Sequence, residues 1–293
     1  MKLSIGIGTA SAALGLPARD SAKILKSIGF TGVDFGFCSY NLKNFCTEQV
    51  TNSVRNAMKE IVEEGLQISQ SHLHYLPGNF YGDDRYEQFE EEYLQAYIRS
   101  IELCGEFGCK IAVIHLYFED SREKTFNGNI TMIKKLLPHL EKHGVTLAIE
   151  NIFKGGEEYL DCFVSSAKDI LEYVNYFNSP YVGACLDTGH ANCRKLQAIE
   201  MAKEFGEHLV ALHMNSNSCR DLHLIPGTLA SWVDPTDYGK FAKVLKDIDY
   251  KGAYNLEIGC GEWPHNPKTG LPYLQLVYAV CEEYLTAAGI EID

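Results

Sequence analysis

One arrangement of apolar and polar positions recurs along the chain. An amphipathic helical stretch leads through a short glycine-containing break into an apolar run of strand length. It appears in SAKILKSIGFTGVDFGF, YIRSIELCGEFGCKIAVIHL, LPHLEKHGVTLAIEN and FAKVLKDIDYKGAYNLEIG. Helices alternating with buried strands build a parallel sheet covered on both faces. The pattern predicts strands near 2–8, 32–37, 67–72, 110–116, 145–150, 182–187, 209–213 and 253–258. Helices are predicted near 19–28, 51–65, 86–107, 128–143, 165–176, 195–206, 236–247 and 270–287. No linker or low-complexity tract interrupts the series. Residues 1–293 are therefore expected to form one domain of α/β class, a single (β/α)8 TIM barrel.

Alternation within the strands says which side chains face the barrel axis. Thr146, Ala148 and Glu150 share one face against Leu147 and Ile149, and Gly183, Cys185 and Asp187 oppose Val182, Ala184 and Leu186. Leu209, Ala211 and His213 oppose Val210 and Leu212, and Ala253, Asn255 and Glu257 oppose Tyr254, Leu256 and Ile258. The small and polar sets suit the cramped interior; the large aliphatics suit the helix layer. Glu150, Asp187, His213 and Glu257 then point inward at the carboxyl ends of their strands, where barrel enzymes keep their chemistry. Any one of them could simply cap a loop. Four metal-ligand types at four successive interior strand ends are poorly explained as coincidence.

Composition refines this picture. The apolar fraction is 46%, enough for a large core, and no run approaches the ~20 apolar residues of a membrane helix. The start could be mistaken for a secretion signal, but Leu3, Ile5 and Ile7 alternate with Ser4, Gly6 and Gly8, which reads as a strand. The ten cysteines lack a CxxC pair or a framework spacing, which points to reduced thiols and a cytoplasmic protein. Cys185 is expected to pack inside the barrel. A formal charge of −13 counts against nucleic acid as partner, since Lys and Arg on phosphates supply much of that affinity.

Two glutamates, an aspartate and an imidazole suit a hard to borderline divalent ion: Mn2+, Mg2+, Co2+ or Zn2+. His72, His115, His190, Asp221 and His223 lie at the same level and could add ligands or touch substrate. His74 shares the parity of His72, which leaves open which of the two faces the site. His139 and His143 sit in the last turn before a glycine, where a cation eases the helix dipole, and read as surface. Phe35, Phe37, Tyr81, Trp232 and Trp263 are expected to flank the mouth, where aromatic faces suit a sugar ring.

AIEN, CLDTGHA, LHMN, DLHLIPGT and NLEIG, in this order and spacing, resemble the xylose isomerase-like TIM-barrel superfamily, which joins sugar isomerases and epimerases to endonuclease IV-type repair enzymes. The likeness to the ketose 3-epimerase branch implies one metal on Glu150, Asp187, His213 and Glu257, with Glu150 and Glu257 also the catalytic acid/base pair. It further implies proton transfer through an enediolate, with a carbohydrate substrate held by His190 and Arg220. Trp232 and Trp263 are candidate substrate contacts. The likeness to the endonuclease IV branch implies three Zn2+ ions held with the help of His72, His115, His190, Asp221 and His223, and abasic-site cleavage. Tyr75-Leu76 falls where that branch has a DNA-wedging Tyr-Leu pair. The loops PGNFYGDDRYEQFEEEY and CSYNLKNF, poor in basic residues, favour the sugar branch. A non-catalytic sugar-binding barrel, or a subunit of a larger sugar-processing enzyme, is a further reading, and a homo-oligomer is left open.

Overall fold

The computed structural model describes residues 1–75, 85–153, 162–218 and 220–293, with 85–89 described by backbone alone. Its strands are β1 (Leu3–Gly6), β2 (Gly32–Gly36), β3 (Gln67–His72), β4 (Ile111–Ile114), β5 (Thr146–Glu150), β6 (Val182–Asp187), β7 (Leu209–His213) and β8 (Tyr254–Leu256). Helices return the chain between them: α2 (Ala18–Ile28), α4 (Glu48–Glu63), α5 (Arg85–Glu106), α6 (Arg122–His143), α7 (Ala167–Phe177), α9 (Ala198–Phe205), α10 (Tyr238–Asp247) and α11 (Pro267–Ala287). Short helices α1 (Ile7–Leu14), α3 (Leu42–Phe45) and α8 (Thr188–Cys193) sit on the loops that leave β1, β2 and β6.

All the strand pairs are parallel, in the order β7-β6-β5-β4-β3-β2-β1-β8. The remaining seam closes just past β7: Met214 N–H donates to Asn255 O at 2.8 Å and Glu257 N–H to Met214 O at 3.3 Å. The fold is the expected (β/α)8 barrel. No helix of the described residues is long and apolar enough to cross a membrane.

The core has two layers. Leu147, Ile149, Val182, Ala184 and Leu186 join the large cluster between strands and helices, while Val113, Ala148, Cys185 and Ala211 pack along the axis. The parity of β5 and β6 is as expected. That of β7 is not, at its start. Ala184 pairs with Leu209 but Cys185 pairs with Ala211, so one residue is extra. The bulge turns Val210 inward against the interior cluster and sends Leu209 to the helix side.

Two further expectations are corrected. The strand placed at 2–8 ends at Gly6 although the alternation runs on through Ile7 and Gly8, because the alanine-rich run Ala10, Ala12 and Ala13 favours helix. Phe35 and Phe37 do not face the mouth; both are buried, in edge-on contact with each other, and Phe37 also meets Phe45. Asp34 is the β2 residue that turns inward.

Helix α1 is clamped against α11 at Gly270, where a Cβ would come 2.3 Å from the carbonyl oxygen of Ala13. Backbone cannot yield as a side chain can. Gly270→Ala is expected to cost about 1–3 kcal/mol and to lower the thermal midpoint by roughly 2–4 °C per kcal/mol. An unchanged melting curve would mean that α1 packs independently of α11.

Candidate metal centre

The carboxyl ends of six strands deliver the site. His72, Glu150, Asp187 and His213 are the last residues of β3, β5, β6 and β7, while His115 and Glu257 follow β4 and β8 by one residue. Glu150, Asp187, His213 and Glu257 each place a ligand atom within 4.8 Å of the others, and His72, His115 and Glu150 form a second such group. His74 turns away and packs edge-on against Phe45, so His72 is the inward histidine of the pair.

Local hydrogen bonds aim these groups. Asp187 caps α8, accepting from His190 N–H at 2.6 Å, and its other oxygen accepts from Asn215 Nδ2 at 2.8 Å. Asn151 brackets the same backbone: its Oδ1 accepts from Asp187 N–H at 2.8 Å and its Nδ2 donates to Asp187 O at 3.0 Å. Gly189 is required between them, since a Cβ there would lie 1.8 Å from Asn215 Oδ1 and 2.2 Å from Asn217 Nδ2. Turning through α8 brings His190 back over the site, where its Nδ1 lies 2.9 Å from Asn151 O and 3.1 Å from Glu150 Oε1.

Glu150 is the hub. Its Oε2 lies 3.0 Å from His213 Nδ1, 3.1 Å from His115 Nε2 and 3.5 Å from His72 Nε2. His213 Nδ1 is also 3.2 Å from Glu257 Oε2. Yet both Glu150 oxygens, both His213 nitrogens and Glu257 Oε2 are buried without a hydrogen bond among the described residues. Leaving one such atom unsatisfied costs about 1–3 kcal/mol. Atoms that converge without bonding one another fit a cation shared among them, and the oxygen and nitrogen donors suit a hard or borderline divalent ion.

The electrostatics of the protein groups alone are consistent with this. Burial penalises charge on Glu150, but His213 and His115 outweigh it and hold the carboxyl well below its usual range. Burial opposes charge on His213 too, while Glu150 and Glu257 raise it well above the ordinary histidine value. Burial, opposed by His213 and reinforced by Glu150, pushes Glu257 up to about 7. His223 rises to about 10 against its burial, through Asp221, whose Oδ1 lies 2.9 Å from His223 Nε2. Burial pushes the Cys185 thiol well up, so it packs as a neutral group.

A cavity of about 560 Å3 opens above the centre, lined by His72, Tyr75, His115, His190, Asp221, His223 and Glu257 with residues from the β1 and β2 loops. No Lys or Arg lines it among the described residues. Arg220 is exposed outside this lining, Trp232 is 86% exposed, and Trp263 packs on Tyr273 at 5.0 Å. Tyr81 and Leu76 fall outside the described residues. Sequence reasoning did not single out Asp34, Gln70 or Asn255, which are buried beneath His213; the alternation of β2 and β3 carried the only signal for the first two.

Residues 22–276 match the sequence profile of the family described as xylose isomerase-like TIM barrel. The chain belongs to that family. Among curated proteins it matches the uncharacterised protein y4fM of Sinorhizobium fredii, 23% identical over 168 residues, which span 54% of this chain and 50% of that protein. Several solved structures share the barrel. The 3-keto-D-glucoside 4-epimerase YcjR of E. coli aligns over 96% of this chain and 100% of its own, with TM-score 0.73 and 16% identity. The D-psicose 3-epimerase of Clostridium cellulolyticum, with D-tagatose, aligns over 97% and 99%, with TM-score 0.73 and 14% identity. A xylose isomerase domain protein of Alicyclobacillus acidocaldarius aligns over 99% of both chains, with TM-score 0.71 and 18% identity. At these identities the likeness is one of fold.

A raised His213 means that protons compete with a metal for its nitrogen. Divalent-ion affinity of protein stripped of metal should therefore tighten from pH 6 to pH 8, with proton release on binding. Calorimetric titration in buffers of different ionisation enthalpy measures both, and an affinity independent of pH would contradict the assignment of His213.

Proposed function

We propose that this chain is a divalent-metal-dependent sugar isomerase or epimerase, residues 1–293 acting as one domain. The observation that carries the reading is the convergence of Glu150, Asp187, His213 and Glu257 beneath a cavity at the carboxyl mouth, with Glu150, His213 and Glu257 Oε2 left without hydrogen bonds among the described residues. Structures of similar fold include sugar 3-epimerases. A bound Mn2+, Mg2+, Co2+ or Zn2+ ion would supply Lewis-acid stabilisation of negative charge on a substrate oxygen. Free thiols at the described cysteines fit a cytoplasmic setting.

The chain's own groups would move the protons. Glu257 lines the cavity with its side chain 33% exposed, which suits a base that removes a proton from the carbon beside a carbonyl. The electrons pass to the carbonyl oxygen, giving an enediolate, and an acid on the opposite side returns a proton to carbon. Return to the same carbon inverts it; return to its neighbour interconverts aldose and ketose. Glu150 is the second carboxylate, but His72, His115 and His190 cover it, so its use as acid requires them to part when substrate enters. His190 and His223 stand over the cavity as donors to substrate hydroxyls. The absence of Lys and Arg from the described lining favours an uncharged sugar over a phosphorylated one.

A second reading has one specific observation in its favour: His72, His115 and Glu150 make a second ligand group that shares Glu150 with the first. Together with His190, Asp221 and His223 they could hold three Zn2+ ions, as in an endonuclease IV-type enzyme.

Metal content per chain by elemental analysis separates the two readings. One ion supports the epimerase; near three zinc ions, with cleavage of an abasic-site oligonucleotide, would replace it. On a panel of free ketohexoses in deuterated water, the wild type should place deuterium on carbon beside the carbonyl. Glu257→Gln and Glu150→Gln should each cut turnover at least about 100-fold while the far-ultraviolet circular dichroism is kept. Near-normal turnover in either variant would rule out the two-glutamate mechanism.

A further inference from the structure

Beneath the candidate metal centre lies a buried polar layer that contacts no substrate cavity except through Asp34. The β2–β3 pairing shifts register between Val33 and Asp34, skipping Ser69 and setting Gln70 beside Asp34. Gln70 Nε2 donates to Asp34 Oδ2 at 2.9 Å, and Asn255 Nδ2 donates to the same oxygen at 3.1 Å. Ser4 Oγ holds Asn255 from behind, donating to its Oδ1 at 2.6 Å. Asp34 is only 6% exposed, and no Lys or Arg forms an ion pair with it among the described residues. A carboxylate so placed needs a cationic neighbour or a full set of donors.

His213 is that neighbour. Its Nδ1 faces the centre, 3.0 Å from Glu150 Oε2 and 3.2 Å from Glu257 Oε2. Its Nε2 lies on the Asp34 side, 3.5 Å from Asp34 Oδ2, and has no hydrogen bond among the described residues. The His72 ring stacks on His213 with centroids 5.5 Å apart and planes 16° apart, which limits its rotation.

We propose that Asp34 is a positioning residue for His213: it keeps the imidazole proton on Nε2, so that the Nδ1 lone pair is directed at the metal, and offsets the charge drawn onto the ring. Gln70 and Asn255 orient the carboxylate, since both present N–H groups and leave the acceptor role to Asp34. An outer carboxylate on a ligating histidine raises its basicity, and loss of such a partner typically weakens metal binding 10–100-fold. This inference rests on the metal-site reading of His213.

The test uses the full-length protein stripped of metal and titrated with Zn2+ against a chelating indicator. Asp34→Asn keeps the size of the side chain and removes its charge. It should bind about 10–100-fold more weakly than wild type, and Gln70→Leu, which removes one of the two amide donors to Asp34 but leaves its charge, should weaken binding less. In Zn2+-loaded wild type, long-range 1H–15N correlation spectra should show His213 protonated at Nε2 and ligating through Nδ1, a readout that needs no variant to fold. Affinity of Asp34→Asn equal to that of wild type, or ligation through Nε2, would overturn the proposal and leave the metal site standing. Failure of the wild type itself to bind any divalent ion would remove the metal-site reading and this inference together.

Discussion

A carboxylate with no exposed surface, set among imidazoles and bonded to none of them, is the constraint around which this molecule is arranged. Glu150 sits where four histidine rings approach from four different elements, and neither of its oxygens has a hydrogen bond among the described residues. Burying such a group is tolerable only if positive charge reaches it, either as protons on the surrounding rings or as a shared cation. The barrel provides the convergence, because parallel strands with inward-pointing terminal residues bring distant parts of the chain to one ring.

That requirement explains features that would otherwise be unrelated. Asn151 and Asn215 are spent on holding Asp187, and Gly189 has no room for a side chain because the amides of Asn215 and Asn217 crowd it. The missing β7–β8 ladder is replaced by the Met214 bridge, which carries Glu257 past the end of its strand to within reach of His213. Asp187 and Glu257 are thus each positioned from neighbouring strands, so rigidity of the barrel becomes rigidity of the site.

The same geometry gives the two glutamates unequal surroundings. Glu257 opens to the cavity and its carboxyl is raised by burial to about 7, whereas Glu150 is enclosed and its carboxyl is depressed by His213 and His115 despite burial. Placing substrate and metal together would have to redistribute the imidazoles around Glu150. On the proposed function, His72 and His115, at 3.5 and 3.1 Å from Glu150 Oε2, are rings that substrate would have to displace to reach this carboxylate.

Alternation along β5, β6 and β8 was enough to predict that Glu150, Asp187 and Glu257 point inward, because side-chain direction on a regular strand follows from sequence position alone. The eight βα units were legible for the same reason, each helix and strand carrying its own period. The bulges in β3 and β7 were not, since an extra residue is decided by the partner strand; hence Val210 appeared on the wrong face and Ser69 gave no warning that Gln70 would sit beside Asp34. Nor could local pattern separate His72 from His74, or place Phe35 and Phe37 in the core, because those outcomes depend on which neighbour fills the space. The sequence by itself determined the barrel and the ligand types at its mouth. Only the tertiary structure decided which atoms meet, because contacts between residues on different strands, such as Glu150 with His213, are set by closure of the sheet and not by any local period.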